Sequence, residues 1–227
     1  MRNKFVETAN VSAFVEAAGS LERTEAGVPG LALVHGMRGL GKTRTAIWYA
    51  SQNGSVYVRS KSLWSPKWML EELAIELGLT PAKHKKDLFM GVMEELRQRP
   101  RLVIIDESNM PPTTCLDAIR DLHDLTENPF LLIGHEGIVS RLKRMGPFFD
   151  RFLYITEFKP LSTKDLDSFC RTCMEIPVDE DVIGKVVERT GGNFRKSIVA
   201  FKGLENRAKM NGSKRITVKE TREREAS

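Results

Sequence analysis

Residues 36–43 read Gly-Met-Arg-Gly-Leu-Gly-Lys-Thr, a glycine-rich segment that ends in lysine and threonine. It follows an apolar run, Leu-Ala-Leu-Val-His at 31–35, and precedes a segment at 43–50 that continues with helical spacing. Glycines let backbone N–H groups turn inward at a helix N-terminus, where the helix dipole favours negative charge. The order strand, glycine loop and helix, with Lys-Thr at the end of the loop, therefore predicts a phosphate-binding loop in an α/β fold.

The loop predicts ATP and Mg²⁺ as cofactors. Lys42 should reach the β- and γ-phosphates, and the Thr43 hydroxyl should ligate Mg²⁺. The residues expected around the nucleotide are Gly36, Met37, Arg38, Gly39, Leu40, Gly41, Lys42, Thr43 and Arg44.

A second segment, Ile-Ile-Asp-Glu at 104–107, ends an apolar run with two carboxylates. Asp106 would hold Mg²⁺ through water, and Glu107 would polarise the water that attacks the γ-phosphate. The alternative is that the two acidic residues only cap a strand. His135 follows another strand-like run, where a polar residue is placed to contact the γ-phosphate or to orient water. A surface histidine without a role is the alternative there.

Strand-like and helix-like segments alternate up to Pro160, and only helix-like segments follow. Strands are expected at 31–35, 55–59, 102–105, 129–133 and 152–156. The later helices are expected at 163–174, 179–190 and 193–209. This order predicts a three-layer αβα core with a parallel sheet over 1–160, in which 1–28 is an N-terminal helical segment. A small all-helical lid at 161–210 and a polar tail at 211–227, with disorder as one alternative for the tail, complete the prediction.

The composition excludes several classes of protein. With 41% hydrophobic and 29% charged residues among 227, the chain has the composition of a globular protein. Its apolar runs are strand-sized, so no membrane-spanning helix is expected, and the N-terminus lacks the pattern of a secretory signal, which favours the cytoplasm. Cys170 and Cys173 have CxxC spacing without a second pair, so buried thiols are favoured over a metal or redox site. A net charge of +5 favours an anionic partner.

With Walker-type A and B motifs, a polar strand tip and an all-helical lid in this order, the chain resembles AAA+ ATPases over almost its full length. Phe-Asp-Arg-Phe at 149–152 resembles the position of the family's arginine finger, which implies that Arg151 reaches a neighbour's nucleotide. Arg144 is the alternative finger, and a structural salt bridge is the alternative role for Arg151. Gly-Gly-Asn-Phe-Arg-Lys at 191–196 resembles the sensor 2 motif, which implies that Arg195 contacts the γ-phosphate in its own subunit.

The loop sequence, the compact size and Asp-Glu-Ser-Asn at 106–109 most resemble the phage Mu B-type DNA transposition proteins, which are transposon target-selection ATPases. The resemblance implies ATP-dependent assembly as a helical filament on double-stranded DNA, capture of target DNA and activation of a transposase in the bacterial host cytoplasm. The chain departs from the family in one respect. A Mu B-type protein carries an N-terminal helix-turn-helix domain, whereas the phosphate loop begins at residue 36 here.

The related filaments imply that basic loops near the second and third strands contact DNA. The candidates are Arg59, Lys61, Lys83, Lys85 and Lys86, of which the three later lysines are expected in a loop between helices. Contacts of this type are mainly to phosphates, so the expected binding is largely independent of sequence. A solvated charged face is the alternative.

Two other functions remain open from the sequence. One is a loader that places a replication helicase or clamp, which would form a small closed oligomer. The other is a nucleotide switch or scaffold that hydrolyses ATP poorly, although Glu107 favours hydrolysis.

Overall fold

The computed structural model describes residues 1–23 and 30–218. The chain divides into two compact units. The sheet unit contains Ala13–Gly36 and Lys42–Glu157, and the helical unit contains Met1–Ser12, Met37–Gly41 and the residues from Phe158 onward. The boundaries expected after residues 160 and 210 stay predictions.

Helices and strands alternate through the first part of the chain, as the sequence predicts. In chain order they are α1 (Ala9–Glu22), β1 (Leu31–His35), α2 (Lys42–Asn53), β2 (Val56–Arg59), α3 (Pro66–Glu76), α4 (Lys85–Gln98), β3 (Val103–Asp106), α5 (Thr113–Thr126), β4 (Phe130–Ile133), α6 (Ile138–Lys143) and β5 (Phe152–Glu157). A 3₁₀ helix, Gly146–Arg151, lies between α6 and β5. Helix α1 lies within the expected N-terminal helical segment, whose residues 24–28 lie outside the described part of the chain.

Among the described residues, the strands form one five-stranded sheet in the order β2-β3-β4-β1-β5. Every pairing is parallel, so the carboxyl ends of all strands lie at one edge. The register of β2 on β3 places Arg59 beside Asp106. The predicted parallel sheet is therefore confirmed, and it places the ends of β1, β2, β3 and β4 at a common edge.

The sheet is buried on both faces. All residues of β3 and β4 are buried, and neighbouring residues in a strand point to opposite faces. On one face, Leu31 and Leu33 pack in a cluster with Leu70 and Leu73 of α3. On the other face, Ala32 is also fully buried. Helices must cover both faces of such a sheet, which is why β3 is apolar at each position before Asp106.

The helical unit contains α7 (Thr163–Cys173), α8 (Glu180–Thr190) and α9 (Phe194–Met210), which confirms the predicted all-helical lid. Its core includes Leu166, Phe169 and Phe201. A capping box starts α7, because the Ser162 side chain accepts from the Asp165 N–H while the Asp165 carboxylate accepts from the Ser162 N–H.

The Asp165 carboxylate also accepts a hydrogen bond from the Ala9 N–H at 2.9 Å. Burial alone would raise the pKa of Asp165, but the hydrogen bonds from Ser162 and Ala9 outweigh burial and lower it. The start of α7 is therefore fixed by an ionised carboxylate.

Part of the predicted tail packs on the helical unit. Ile216 is fully buried and forms a bridge with Val178, and its N–H donates to the Pro177 carbonyl at 2.8 Å. Residues 219–227 of the tail lie outside the described part of the chain.

Two further predictions concern the cysteines and the lysines at the start of α4. Cys115, Cys170 and Cys173 are buried free thiols, as expected for the CxxC pair. Lys85 and Lys86, expected in a loop, instead lie in the first turn of α4, which starts after His84 and has the favourable negative charge of Asp87 in that turn. Within the described residues, no helix has the length and apolar character needed to cross a membrane.

Candidate nucleotide and hydrolysis site

The phosphate loop, residues 36–43, connects β1 to α2. Gly39 and Gly41 have φ values of +86° and +99°, which residues with a side chain rarely adopt. The Lys42 ammonium donates to the Gly36 carbonyl at 2.7 Å, so the side chain folds back over the loop. The ammonium thus lies where a phosphate in the loop would offer it a charged acceptor.

The first turn of α9 contacts the phosphate loop. The Arg195 N–H donates to the Gly39 carbonyl at 2.9 Å, and the Asn193 side-chain amide donates to the Arg38 carbonyl at 2.8 Å. A Cβ at Gly39 would lie only 2.6 Å from Asn193 Oδ1, so this approach requires glycine. The Arg195 side chain is exposed, and its role at the γ-phosphate stays a prediction.

Asp106 is the most buried charged group of the site, with 2% of its surface exposed. The Thr43 hydroxyl donates to Asp106 Oδ2 at 2.7 Å, and the Tyr57 hydroxyl donates to the same oxygen at 3.0 Å. The Glu107 N–H donates to Oδ1 at 2.8 Å. Burial raises the pKa of Tyr57, and the negative charge of Asp106 raises it further, so the phenol remains a donor at neutral pH.

The oxygen atoms of Thr43 and Asp106 fit a magnesium site shared with a nucleotide. The hydroxyl of Thr43 and the carboxylate of Asp106 are hard oxygen ligands, which Mg²⁺ prefers. Over residues 1–23 and 30–218, no group of three or more His, Cys, Asp or Glu side chains could hold a metal by itself.

Glu107 has a backbone conformation that is unusual for its residue type. Its φ of +55° lies in the left-handed region, which costs on the order of 1 kcal/mol for a residue with a side chain. Its carbonyl accepts from the Ser60 hydroxyl at 2.6 Å and from the Met110 N–H at 2.8 Å, which hold the residue in place.

The Glu107 carboxylate forms an ion pair with Arg59. The distance from Arg59 Nη2 to Glu107 Oε1 is 3.5 Å, and the side chains are 62% and 32% exposed. The parallel register of β2 on β3 brings the two residues together. A cation expected to contact DNA therefore contacts the carboxylate expected to activate water.

The loop between β3 and α5, residues 107–112, is tied to the next strand end and to α6. The His135 N–H donates to Asn109 Oδ1 at 2.7 Å. The Arg141 guanidinium donates to the Asn109 carbonyl at 2.6 Å and to the Pro111 carbonyl. His135 thus lies at the same sheet edge as Asp106, while its contact with a phosphate stays a prediction.

The two candidate arginine fingers differ in their contacts. Arg151 forms a two-pronged ion pair with Asp124 of α5, with Nε–Oδ1 at 2.7 Å and Nη2–Oδ2 at 2.8 Å, and donates to the Pro147 carbonyl at 2.5 Å. Arg144, at the end of α6, is exposed, and no described carboxylate pairs with it. The structural salt bridge is thus present for Arg151, and Arg144 has the side chain that is available to a neighbour.

The candidate DNA-binding cations also differ in their ion pairs. Lys61 forms an ion pair with Glu72, and its ammonium lies 5.1 Å from the centre of the Trp68 ring. The side chains of Lys83, Lys85 and Lys86 are exposed, and in the described part of the chain they form no ion pair.

Sequence reasoning missed three residues of this edge. Tyr57 precedes Arg59 by two positions and so points to the same face of β2, a signal that was available. Asn109 belongs to the quoted Asp-Glu-Ser-Asn segment, but its contact with His135 is not visible in the sequence. Arg141 contacts a loop 30 or more positions earlier, which no local pattern indicates.

Sequence comparison places the chain among known ATPases. Residues 26–142 match a family model described as an AAA domain. The chain is 26% identical over 199 residues to the Mu-like prophage FluMu DNA transposition protein B of Haemophilus influenzae, covering 82% of this chain and 67% of the relative. It is 31% identical over 142 residues to the ATP-dependent target DNA activator B of Escherichia phage Mu, covering 61% of this chain. The match spans only 44% of the phage Mu protein.

Solved structures share the fold. The Aeropyrum pernix ORC2 protein superposes with a TM-score of 0.72 at 17% identity, over 98% of this chain and 69% of that protein. The Thermotoga maritima RuvB Holliday junction branch migration motor gives 0.65 at 19% identity, over 95% and 67% of the two chains. Identities this low support the fold alone. The AAA family model and this shared fold together confirm the predicted AAA+ core followed by helices.

Proposed function

The chain belongs to the AAA domain family of ATPases, with Mu B-type transposition proteins among its relatives, and we propose that it is an ATP-dependent DNA-binding protein. It assembles as a helical filament on double-stranded DNA, captures this DNA as a target and activates a transposase. Because the curated relatives are phage and prophage proteins, the proposed place of action is the cytoplasm of a bacterial host.

The proposed hydrolysis uses the residues at the sheet edge. The phosphate loop and Lys42 bind and orient the nucleotide. Mg²⁺, held by Thr43 and Asp106, would neutralise charge that develops on the phosphates. Glu107 accepts a proton from the attacking water, which must lie within hydrogen-bond reach of its carboxylate. The Tyr57 hydroxyl keeps Asp106 oriented toward Thr43.

The ion pair between Arg59 and Glu107 is the observation that carries the proposal, because it joins a cation expected to contact DNA to the carboxylate expected to activate water. While Arg59 attracts the carboxylate, Glu107 is held at the guanidinium and is less available to the attacking water. DNA phosphates compete for Arg59, since an arginine forms charge-assisted hydrogen bonds with phosphate as well as with carboxylate. Release of Glu107 then makes ATP turnover depend on bound DNA.

The lysines at the start of α4 are the second part of the proposed DNA surface. Positive side chains at a helix N-terminus are disfavoured by the helix dipole, and only Asp87 supplies negative charge in that turn. An anionic partner relieves this repulsion at Lys83, Lys85 and Lys86. Such contacts read the phosphate backbone and accept many sequences, as target capture requires.

Hydrolysis depends on assembly because one subunit supplies an arginine to the nucleotide of its neighbour. Fingers of this kind raise hydrolysis by about 10³ to 10⁵ in other nucleotide hydrolases. Arg144 is our preferred finger, since Arg151 is held by Asp124. Arg144→Ala subunits should lose turnover alone and regain part of it when mixed with Glu107→Gln subunits, which still carry the finger. Recovery with Arg151→Ala but not with Arg144→Ala would reverse the assignment.

Negative-stain electron microscopy tests the proposed assembly. The protein is imaged with ATP and Mg²⁺, with and without duplex DNA, and with ADP as the control. We expect continuous filaments on DNA with ATP, and longer-lived ones for Glu107→Gln because bound ATP persists. Closed rings that form equally with and without DNA would favour the helicase or clamp loader. Monomers that do not hydrolyse ATP would favour the nucleotide switch.

A further inference from the structure

Arg141 connects α6 to the loop that follows Glu107, and Arg144 lies at the end of the same helix. We propose that Arg141 is a positioning residue that transmits the engagement of Arg144 on a neighbour's nucleotide to Glu107 of its own chain. Assembly would then stimulate hydrolysis in the subunit that supplies the finger, as well as in the neighbour that receives it. The inference rests on the proposed trans action of Arg144.

Arg141 holds the backbone of the 107–112 loop at two positions. Its two terminal nitrogens donate to two different carbonyls, those of Asn109 and Pro111, and the first distance is 2.6 Å. Asn109 lies two positions after Glu107 in the same short connection to α5. The planar fork of an arginine fixes two acceptors at once, so a displacement of α6 also displaces the backbone next to Glu107.

Arg141 does not act as a partner in an ion pair. Burial lowers its pKa, and the nearby positive charge of Arg144 lowers it further. In residues 1–23 and 30–218, no carboxylate forms a salt bridge with its guanidinium. Neutral carbonyls accept its hydrogen bonds instead, so its contribution is the position of the 107–112 loop.

The same loop also holds the end of β4. Asn109 Oδ1 accepts from the His135 N–H at 2.7 Å, and a Cβ at Gly134 would clash with that oxygen. The His135 carbonyl in turn accepts from the Ile138 N–H at 3.0 Å, where α6 begins. Asn109 is therefore the common point that joins α6, the tip of β4 and the loop of Glu107.

Glu107 is sensitive to such a displacement. Its φ of +55° is maintained by surrounding contacts, among them the 2.6 Å hydrogen bond from Ser60 on the opposite side of the loop. Movement of Asn109 changes the direction of the Glu107 side chain relative to the attacking water. Errors of about 1 Å in such a position reduce catalysis by roughly a hundredfold in other enzymes.

The test compares Arg141→Met and Arg141→Lys with Lys143→Met, which removes a neighbouring exposed cation. ATP turnover per subunit is measured against protein concentration, and sedimentation gives the assembly state. We expect Arg141→Met to assemble normally with a KM for ATP within about twofold of the wild type. Its kcat in dilute protein should equal that of the wild type, and its kcat once assembled should be about tenfold below that of assembled wild type, because Arg144 still acts in trans and only the coupled part of the rise is lost. Arg141→Lys should recover part of this rise, and Lys143→Met should behave as wild type.

The outcomes separate this inference from the proposed function. Normal stimulation of assembled Arg141→Met would overturn the coupling and leave the ATPase proposal intact. An equal loss of kcat in dilute and assembled protein would also overturn it, by reducing Arg141 to a structural role. If ATP turnover per subunit of the wild type is the same in dilute and assembled protein, trans action is refuted, and the coupling is refuted with it. If Arg141→Met fails to fold, Asn109→Ala replaces it, and wild-type stimulation of that variant overturns the coupling.

Discussion

Replacing Arg59 by glutamine should raise ATP turnover in the absence of DNA. The substitution removes the cation that contacts Glu107 at 3.5 Å while it keeps a polar side chain at the end of β2. The freed carboxylate is available to water for a larger fraction of the time. Duplex DNA should then stimulate the variant less than the wild type, because the step that DNA promotes has already occurred.

The size of the effect follows from the exposure of the pair. Two unit charges at this distance attract by about 1 kcal/mol in bulk water and by about 5 kcal/mol at an effective dielectric constant of 20. Arg59 is 62% exposed and Glu107 32% exposed, so the screened limit applies and the pair contributes about 0.5 to 1 kcal/mol. That energy corresponds to a change of about two- to fivefold in the fraction of free Glu107.

A coupled ATPase assay with saturating ATP, with and without duplex DNA, measures both rates. Lys67→Gln is the matched control, since it removes an exposed cation and its ion pair to Glu71 on α3 without touching Glu107. We expect a basal rate about two- to fivefold above wild type for Arg59→Gln, and no change for the control. A basal rate equal to or below that of the wild type would refute the idea that Arg59 restrains Glu107.

Three further predictions concern the phosphate loop and the lid. Lys42→Ala should abolish ATP binding in equilibrium titrations, and retained affinity would remove Lys42 from the phosphate site. Gly39→Ala should weaken ATP binding, because alanine is strained at the positive φ of this position and its Cβ would clash with Asn193. The double variant Gly39→Ala, Asn193→Ala should recover only the part of the affinity lost to the clash. Full affinity of the single variant would contradict the geometry. Asp165→Asn should lower the free energy of unfolding at pH 7 by about 1 kcal/mol. Since the folded pKa of Asp165 is depressed below its ordinary value of 3.8, this difference should shrink as pH falls below 3.8 and vanish below the folded pKa. A difference that stays constant in urea titrations as pH is lowered below 3.8 would contradict it.

The elements of the fold follow from local sequence signals. The strand before Gly36, the helix after Thr43 and the apolar strand ending in Asp106 each have a pattern that is read within about ten residues. Their order predicts the parallel sheet, and the parallel sheet predicts that Asp106 and His135 share an edge. The burial of these strands then follows from their composition.

The contacts that refine the site could not be obtained in that way. The pairing of Arg59 with Glu107 depends on the register of two strands 40 or more positions apart. Likewise, the Asp124 partner of Arg151 is 27 positions away and on another helix. Side-chain partners of this kind depend on tertiary packing, for which spacing along the chain contains no signal. For the same reason the family resemblance that indicates Arg151 as the finger gives no sign of its ion pair with Asp124.

ATP turnover of the wild-type protein with and without duplex DNA, measured over a range of salt concentrations, tests the central proposal most directly. We predict that DNA increases turnover severalfold at low salt and that the increase declines as salt weakens the phosphate contacts. Glu107→Gln should show no turnover in either condition. A turnover rate that is the same with and without DNA at every salt concentration would contradict the proposed DNA-dependent ATPase.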